Sequence, residues 1–152
     1  MKKGSYFKFG IMLVISFILM YAIMFLNVND IDHIYINITR FYMTLMMISA
    51  MAVLMLAMMP MMYTDKKKNT WIIFFGCILF AASFAGVHKQ VGISDIQYMK
   101  GMIPHHSIAI MTSEHAHISD PRVRKLADNI IKTQQKEIKE MKLLLDSLKQ
   151  KP

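Results

Sequence analysis

Met99, Met102, His105 and His106 fall within an arc of roughly 120° on an ideal helix. Thioether sulfur is a soft donor that suits Cu(I), and imidazole suits copper in either oxidation state. A lone histidine on an apolar face is ordinarily a core residue; two of them beside two thioethers, next to Pro104, describe a metal site. Met111 lies on the opposite face of an ideal helix, so it joins the group only through a kink at Pro104 or from a second chain. A later segment carries Met141 together with Gln134 and Glu137, at positions where an unpaired carboxylate would be costly to bury. The candidate metal ligands are thus Met99, Met102, His105, His106, Met111 and Met141. Gln134 and Glu137 would orient a histidine or bind the ion themselves. The donor set favours Cu(I) over Cu(II).

Two helices must position these groups. Ser94 with Gln97 three residues on is a capping-box pattern, predicting a helix from there to about His117, with a kink or restart at Pro104. Asp120 then caps a second helix with Pro121 at its first position, running to about Leu148. Its predicted buried seam is Ala127, Ile130, Gln134, Glu137, Met141, Leu144 and Leu148. In the alternative register Ile138 covers the seam and Glu137 leans to its edge. Folding back about Ser119 and Asp120 sets Gln134 level with His105, Glu137 with Met102, and Met141 with Tyr98 beside Met99. The polar seam positions of one helix therefore meet the Met/His face of the other. Two such helices cannot enclose a core on both faces. A four-helix bundle built by homo-oligomerisation of the hairpin is expected.

The hairpin follows a very apolar region in a chain of 152 residues, 55% of them hydrophobic. Three uncharged runs, Phe9 to Leu26, Phe41 to Tyr63 and Trp71 to Val87, are long enough to cross a bilayer as helices. Leu26-Asn27-Val28-Asn29-Asp30 is no signal-peptidase site, so the first run reads as a retained anchor. Lys2, Lys3 and Lys8 precede it, and Lys66, Lys67 and Lys68 separate the second run from the third. Lys/Arg bias therefore puts the N-terminus and that loop in the cytoplasm, and residues 27–40 and everything after Val87 outside. The domains are then 1–87, a three-helix transmembrane region, and 88–152, an extracytoplasmic metal-binding domain. The formal charge of +8 belongs to this topology and to a solvated helix face, since eleven of the eighteen Lys and Arg lie from Lys89 onward among seven acids. No basic patch on a nucleic-acid-binding fold is present. The single cysteine, Cys77, excludes an intrachain disulfide and any multi-cysteine zinc site.

Seventeen residues are methionine, nine of them between Met43 and Met62. Met43, Met47, Met51 and Met55 recur every four residues, and Met58, Met59 and Met62 extend the stripe. It reads as helix packing or lipid contact, or as a thioether path for Cu(I).

The sequences Met99-Lys-Gly-Met102-Ile-Pro-His105-His106-Ser-Ile-Ala-Ile-Met111 and Ile131-Lys-Thr-Gln134-Gln-Lys-Glu137-Ile-Lys-Glu-Met141 resemble a bacterial family catalogued as domain of unknown function three-hundred-and-five, which takes in CopM-like copper-binding proteins. The likeness covers roughly Ser94 to Leu148. It implies a ferritin-like helical bundle, exported or membrane-anchored, with a role in copper binding and tolerance. The fold class is then all-α: three transmembrane helices followed by an extracytoplasmic hairpin that forms a ferritin-like four-helix bundle on oligomerisation.

The function expected is copper sequestration or hand-over outside the cytoplasmic membrane, with no catalytic step. The partners are the bilayer, further copies of the chain and a copper donor or acceptor protein, and no nucleic acid. One rival is a metal-free structural module of a membrane complex. Another is a dinuclear metal oxidase built on Glu114-His-Ala-His117, whose spacing matches di-iron bundles. It suffers from the roughly 18 Å that separates Glu114 from the level of Glu137 along the hairpin. His33, His88, His115 and His117 read as surface residues or weak accessory ligands.

Overall fold

The computed structural model describes residues 4–150, and among them it contains five α-helices, one 3₁₀ turn and no strand. The helices are α1 (Gly4–Ile23), α2 (Ile38–Met58), α3 (Lys66–Lys89), α4 (Asp95–His115) and α5 (Pro121–Lys149); the 3₁₀ turn spans Ile31–His33. The first three are long and apolar enough to cross a membrane. The chain divides into two compact units, one of Met1–Ile23 with Thr39–Gly92 and the other of Met24–Ile38 with Ile93–Pro152. The loop between α1 and α2 thus belongs with the hairpin, which a cut between residues 87 and 88 leaves out.

In the first unit Phe9 of α1, Ala52 and Leu56 of α2 and Tyr63 form a buried cluster, with Ile72 of α3 packed against it. Close helix approach depends on small residues. A Cβ added at Gly86 would stand 3.1 Å from the Tyr42 ring, and one at Gly76 3.1 Å from Val53 Cγ2. One end is tied by polar contacts. The Asp65 backbone N–H donates to the Tyr6 hydroxyl at 3.1 Å, and that hydroxyl donates to Asn69 Oδ1 at 2.8 Å. Asp65 caps α3 by accepting from the Lys68 N–H. The buried face of α2 is Arg40, Thr44, Ile48, Ser49, Ala52 and Leu56. The methionine stripe falls elsewhere: Met43, Met47, Met58, Met59 and Met62 are exposed, and Met51 and Met55 half-buried.

In the second unit α4 and α5 form the hairpin, around Met99, Ile103, Ile110, Ile138 and Leu145. Asp120 accepts from the Arg122 N–H at 2.8 Å and Pro121 opens α5, the cap expected of those residues. Ser94 accepts from the Gln97 N–H, but the reciprocal half of a capping box is diverted. Gln97 Oε1 instead accepts from the Ile38 N–H at 3.3 Å. Helix α4 runs through the fully buried Pro104 without a restart and stops at His115 rather than His117. Proline removes one backbone donor there, and burial against the core supports the turn that lacks it.

The seam of α5 takes the alternative register. Ala127, Ile138 and Leu145 are buried, Ile131, Gln134, Met141 and Leu148 are half-buried, and Leu144 is exposed. Both registers share residues 127, 134, 141 and 148 and differ in the positions between. One offers Ile131, Ile138 and Leu145; the other offers Ile130, Glu137 and Leu144. Ile138 and Leu145 of the wholly apolar set are buried where Glu137 and Leu144 are not, because that choice leaves no carboxylate to desolvate.

A third layer comes from residues 24–38, which strap along α4. Tyr35 packs on the hairpin core. Ser107, fully buried, accepts from the Asn29 N–H at 2.7 Å and lies 2.9 Å from His33 Nδ1. Asn37 is buried near Gly101, where an added Cβ would sit 3.8 Å from its Oδ1. The Lys142 ammonium of α5 pairs with Asp32.

Candidate metal site

Helix geometry sorts the predicted ligands. The buried side of α4 is centred on Met99, Ile103 and Ile110. From that centre, at about 100° per residue, His106 and Met102 lie on one flank, Ser107 on the other, and His105 points away. Met99 is buried in the hairpin core and Met141 of α5 packs against the same cluster, so two thioethers from facing helices share one apolar interior. His106 and Met102 are half-buried. His106 Nδ1 lies 3.2 Å from Glu137 Oε2 across the two helices. Glu137, on the edge of α5 rather than in its seam, meets His106 and not Met102. The pairing is displaced by one helical turn from that expected.

His105 does not join them. It is exposed, and its ring stands 6.2 Å from that of His106, nearly perpendicular to it. Its place on α4, well round from the hairpin interface, is the cause. Met111 is half-buried on α4, which continues through Pro104, and at about 100° per residue it lies on the far face from Met102. Glu114 is exposed and His117 lies beyond the end of α4, so the Glu-x-x-His spacing of the oxidase reading is not carried on one helix face.

Two polar atoms define the chemistry of the site. His106 Nδ1 and Gln134 Oε1 are buried without a hydrogen-bond partner among the described residues. The close approach of Glu137 to His106 is therefore one of proximity, without the alignment of a hydrogen bond. Burying an unsatisfied polar atom costs about 1–3 kcal/mol. Such atoms are rare enough that each calls for an explanation. These two lie on helices that face each other, beside a carboxylate, and their donor set fits a metal ion. Burial pushes the His106 imidazole below its ordinary pKa of 6.5, and His105 pushes the same way, while Glu137 opposes both. The ring is thus neutral at pH 7, the form that ligates.

Ser107 and His33 are absent from the predicted set, yet they fasten the strap next to His106. The available signal was the loop itself. Met24 to Ile38 carries Phe25, Tyr35 and four isoleucines, more apolar side chain than a solvated connection needs.

A family described as "Domain of unknown function (DUF305)" matches residues 95–152, which hold α4 and α5. The protein named "Uncharacterized protein L153" of Acanthamoeba polyphaga mimivirus is 37% identical over 142 residues, covering 91% of this chain and 91% of that protein. That similarity extends beyond the hairpin into the apolar helices. No solved structure matches.

Proposed function

The chain belongs to the DUF305 family, and from that premise we propose that it is a membrane-anchored copper-binding protein, whose hairpin holds copper outside the cytoplasmic membrane and sequesters it or hands it to a partner protein. The observation that carries this reading is the pair of orphaned buried atoms, His106 Nδ1 and Gln134 Oε1, beside Glu137. Met99 and Met141, which share the apolar core of the same two helices, add soft sulfur. The sulfur pair suits Cu(I), and the nitrogen and oxygen donors suit Cu(II) as well. Copper here is cargo, and no catalytic step is needed. Lys66 to Lys68 and the N-terminal lysines favour a cytoplasmic N-terminus and an external hairpin. Membership of residues 24–38 in the hairpin's unit agrees, since both segments then lie on one side of the membrane. Exposed Val123, Leu126 and Leu144 on α5 offer an apolar face on which a second hairpin would complete a ferritin-like four-helix bundle.

The test uses the full chain in lipid nanodiscs, because the strap is part of the hairpin's unit. Cu(I) affinity is measured against a chromophoric chelator for the native protein and for a His106→Ala/Gln134→Leu variant. A third protein carries Met43, Met47, Met51 and Met55 changed to Leu. The expected result is a loss of about 10–100-fold in the hairpin variant, the range found for groups that hold or orient a ligand, with no change in the stripe variant. Equal affinity in the native and hairpin proteins, with a loss in the stripe variant, would move the copper to the membrane helix. Absence of copper binding by all three would leave the metal-free structural reading.

A further inference from the structure

We infer a second metal site, on the strap, in which Asp30, Asp32 and His33 take one divalent transition-metal ion. It is separate from the hairpin site and stands or falls without it. The three side chains each offer one ligand atom, and these atoms lie within 4.8 Å of one another. Ligand atoms on a single ion with bonds of about 2.0–2.2 Å stand closer than that. The remaining distance is within reach of a rotation of the two exposed aspartates.

The histidine sets this cluster apart from exposed carboxylates that meet by chance. Its ring is gripped from another element: Nδ1 lies 2.9 Å from Oγ of the fully buried Ser107, which also accepts from the Asn29 N–H at 2.7 Å. A hydroxyl oxygen has two lone pairs. In the tautomer with hydrogen on Nδ1, Ser107 Oγ accepts from both Asn29 and His33. Nε2 is then left bare, 3.5 Å from Asp32 Oδ1. This is the arrangement of a metal-bound histidine, whose second ring nitrogen donates to an outer partner that fixes the ring.

The place already attracts a cation. Lys142 reaches across from α5 to Asp32, which an arriving metal ion would displace. One imidazole with two carboxylates is a borderline-to-hard donor set. It selects Cu(II) or Zn(II), with Cu(II) the tighter by the usual order of divalent affinities, and it offers no sulfur to Cu(I).

The experiment titrates Cu(II) and Zn(II) into the full chain in nanodiscs. Cu(II) is followed by electron paramagnetic resonance and Zn(II) by competition. Asp30→Asn removes a ligand without touching the Ser107 contact, and His33→Gln removes the imidazole. Lys142→Gln removes the competing ammonium, and His106→Ala/Glu137→Ala removes the hairpin donors. In the His106→Ala/Glu137→Ala background the expected result is one Cu(II) bound per chain with coupling to a single imidazole nitrogen. Asp30→Asn and His33→Gln should weaken it by about tenfold or more, and the hairpin variant should retain it. Lys142→Gln should bind severalfold tighter, whereas a purely structural ion pair would yield weaker or unchanged binding. Unchanged affinity in Asp30→Asn, loss of the imidazole signal in the hairpin variant instead of His33→Gln, or weaker or unchanged binding in Lys142→Gln would each overturn the assignment. None of those outcomes touches the Cu(I) affinity on which the hairpin reading rests.

Discussion

Methionine occupies two contrasting places in this protein. Along α2 it faces outward: Met43 is 39% exposed, Met47 40% and Met58 73%, while the helix turns Thr44, Ile48, Ala52 and Leu56 inward. In the hairpin Met99 is 6% exposed and lies in a core that Met141 also touches. A flexible apolar side chain on the outside of a membrane helix meets lipid. The same side chain in a packed interior contributes to a core shared by two helices, where its thioether is shielded from water. Spacing every four residues makes the stripe on α2, whereas Met99 and Met141 come together from two helices, and the surroundings of the sulfur differ accordingly. A methionine count therefore does not by itself distinguish a lipid-facing stripe from a buried thioether pair; the packing around the sulfur does.

The contrast between the two regions sharpens under mutation. The largest effect is expected in the hairpin core. Leu145→Ala, at a residue 1% exposed, should destabilise the second unit by about 2–5 kcal/mol, read as faster hydrogen exchange in α4 and α5. Met47→Ala on the outer face of α2 should leave that exchange unchanged. Equal effects would erase the distinction between inner and outer positions. A smaller change is expected from Ser107→Ala, which strips the acceptor from the Asn29 N–H and the partner from His33. It should cost about 1–3 kcal/mol, seen as lost amide protection at Asn29 while the first unit keeps its own. If protection at Asn29 survives, Ser107 does not hold the strap.

The smallest effect concerns acid. His33 and His106 both lie below the ordinary imidazole value of 6.5 in the folded protein, chiefly through burial. The unfolded chain then binds more protons than the folded one between the two values, so stability falls as pH falls. The contribution is complete above 6.5 and is lost as pH drops through the folded values. Thermal unfolding of the second unit from pH 7.5 downward should show this decline, and His106→Ala should reduce it. A rise in stability on acidification would mean that Glu137 outweighs burial at His106.

Much of the architecture is legible in the chain. Apolar runs without charge mark α1 to α3, and Ser94, Asp120 and Pro121 mark where α4 and α5 begin, because caps and spans are properties of neighbouring residues. Of the candidate site, the facing of α4 and α5 that brings Glu137 to His106 and packs Met141 on the cluster of Met99 was legible in periodicity. His105 was not separable from His106, since adjacent residues on a helix differ by about 100° and only the packed face decides which of two neighbours is turned in. Glu137 at the rim, rather than in the seam, followed from a choice between two registers that a heptad pattern leaves open.

Residues 24–38 mark the limit. Their charges and length placed them as an external loop between two membrane helices, and nothing local tied them to α4. The capping-box glutamine, Gln97, was equally ambiguous until Ile38 claimed its side chain. By itself the sequence determined what short-range chemistry specifies: which segments are helices, where they start, and which carry sulfur, imidazole and carboxylate. The tertiary structure decided which of those groups meet, because burial of Ser107, the register of α5 and the docking of the strap each depend on surfaces brought together from distant parts of the chain.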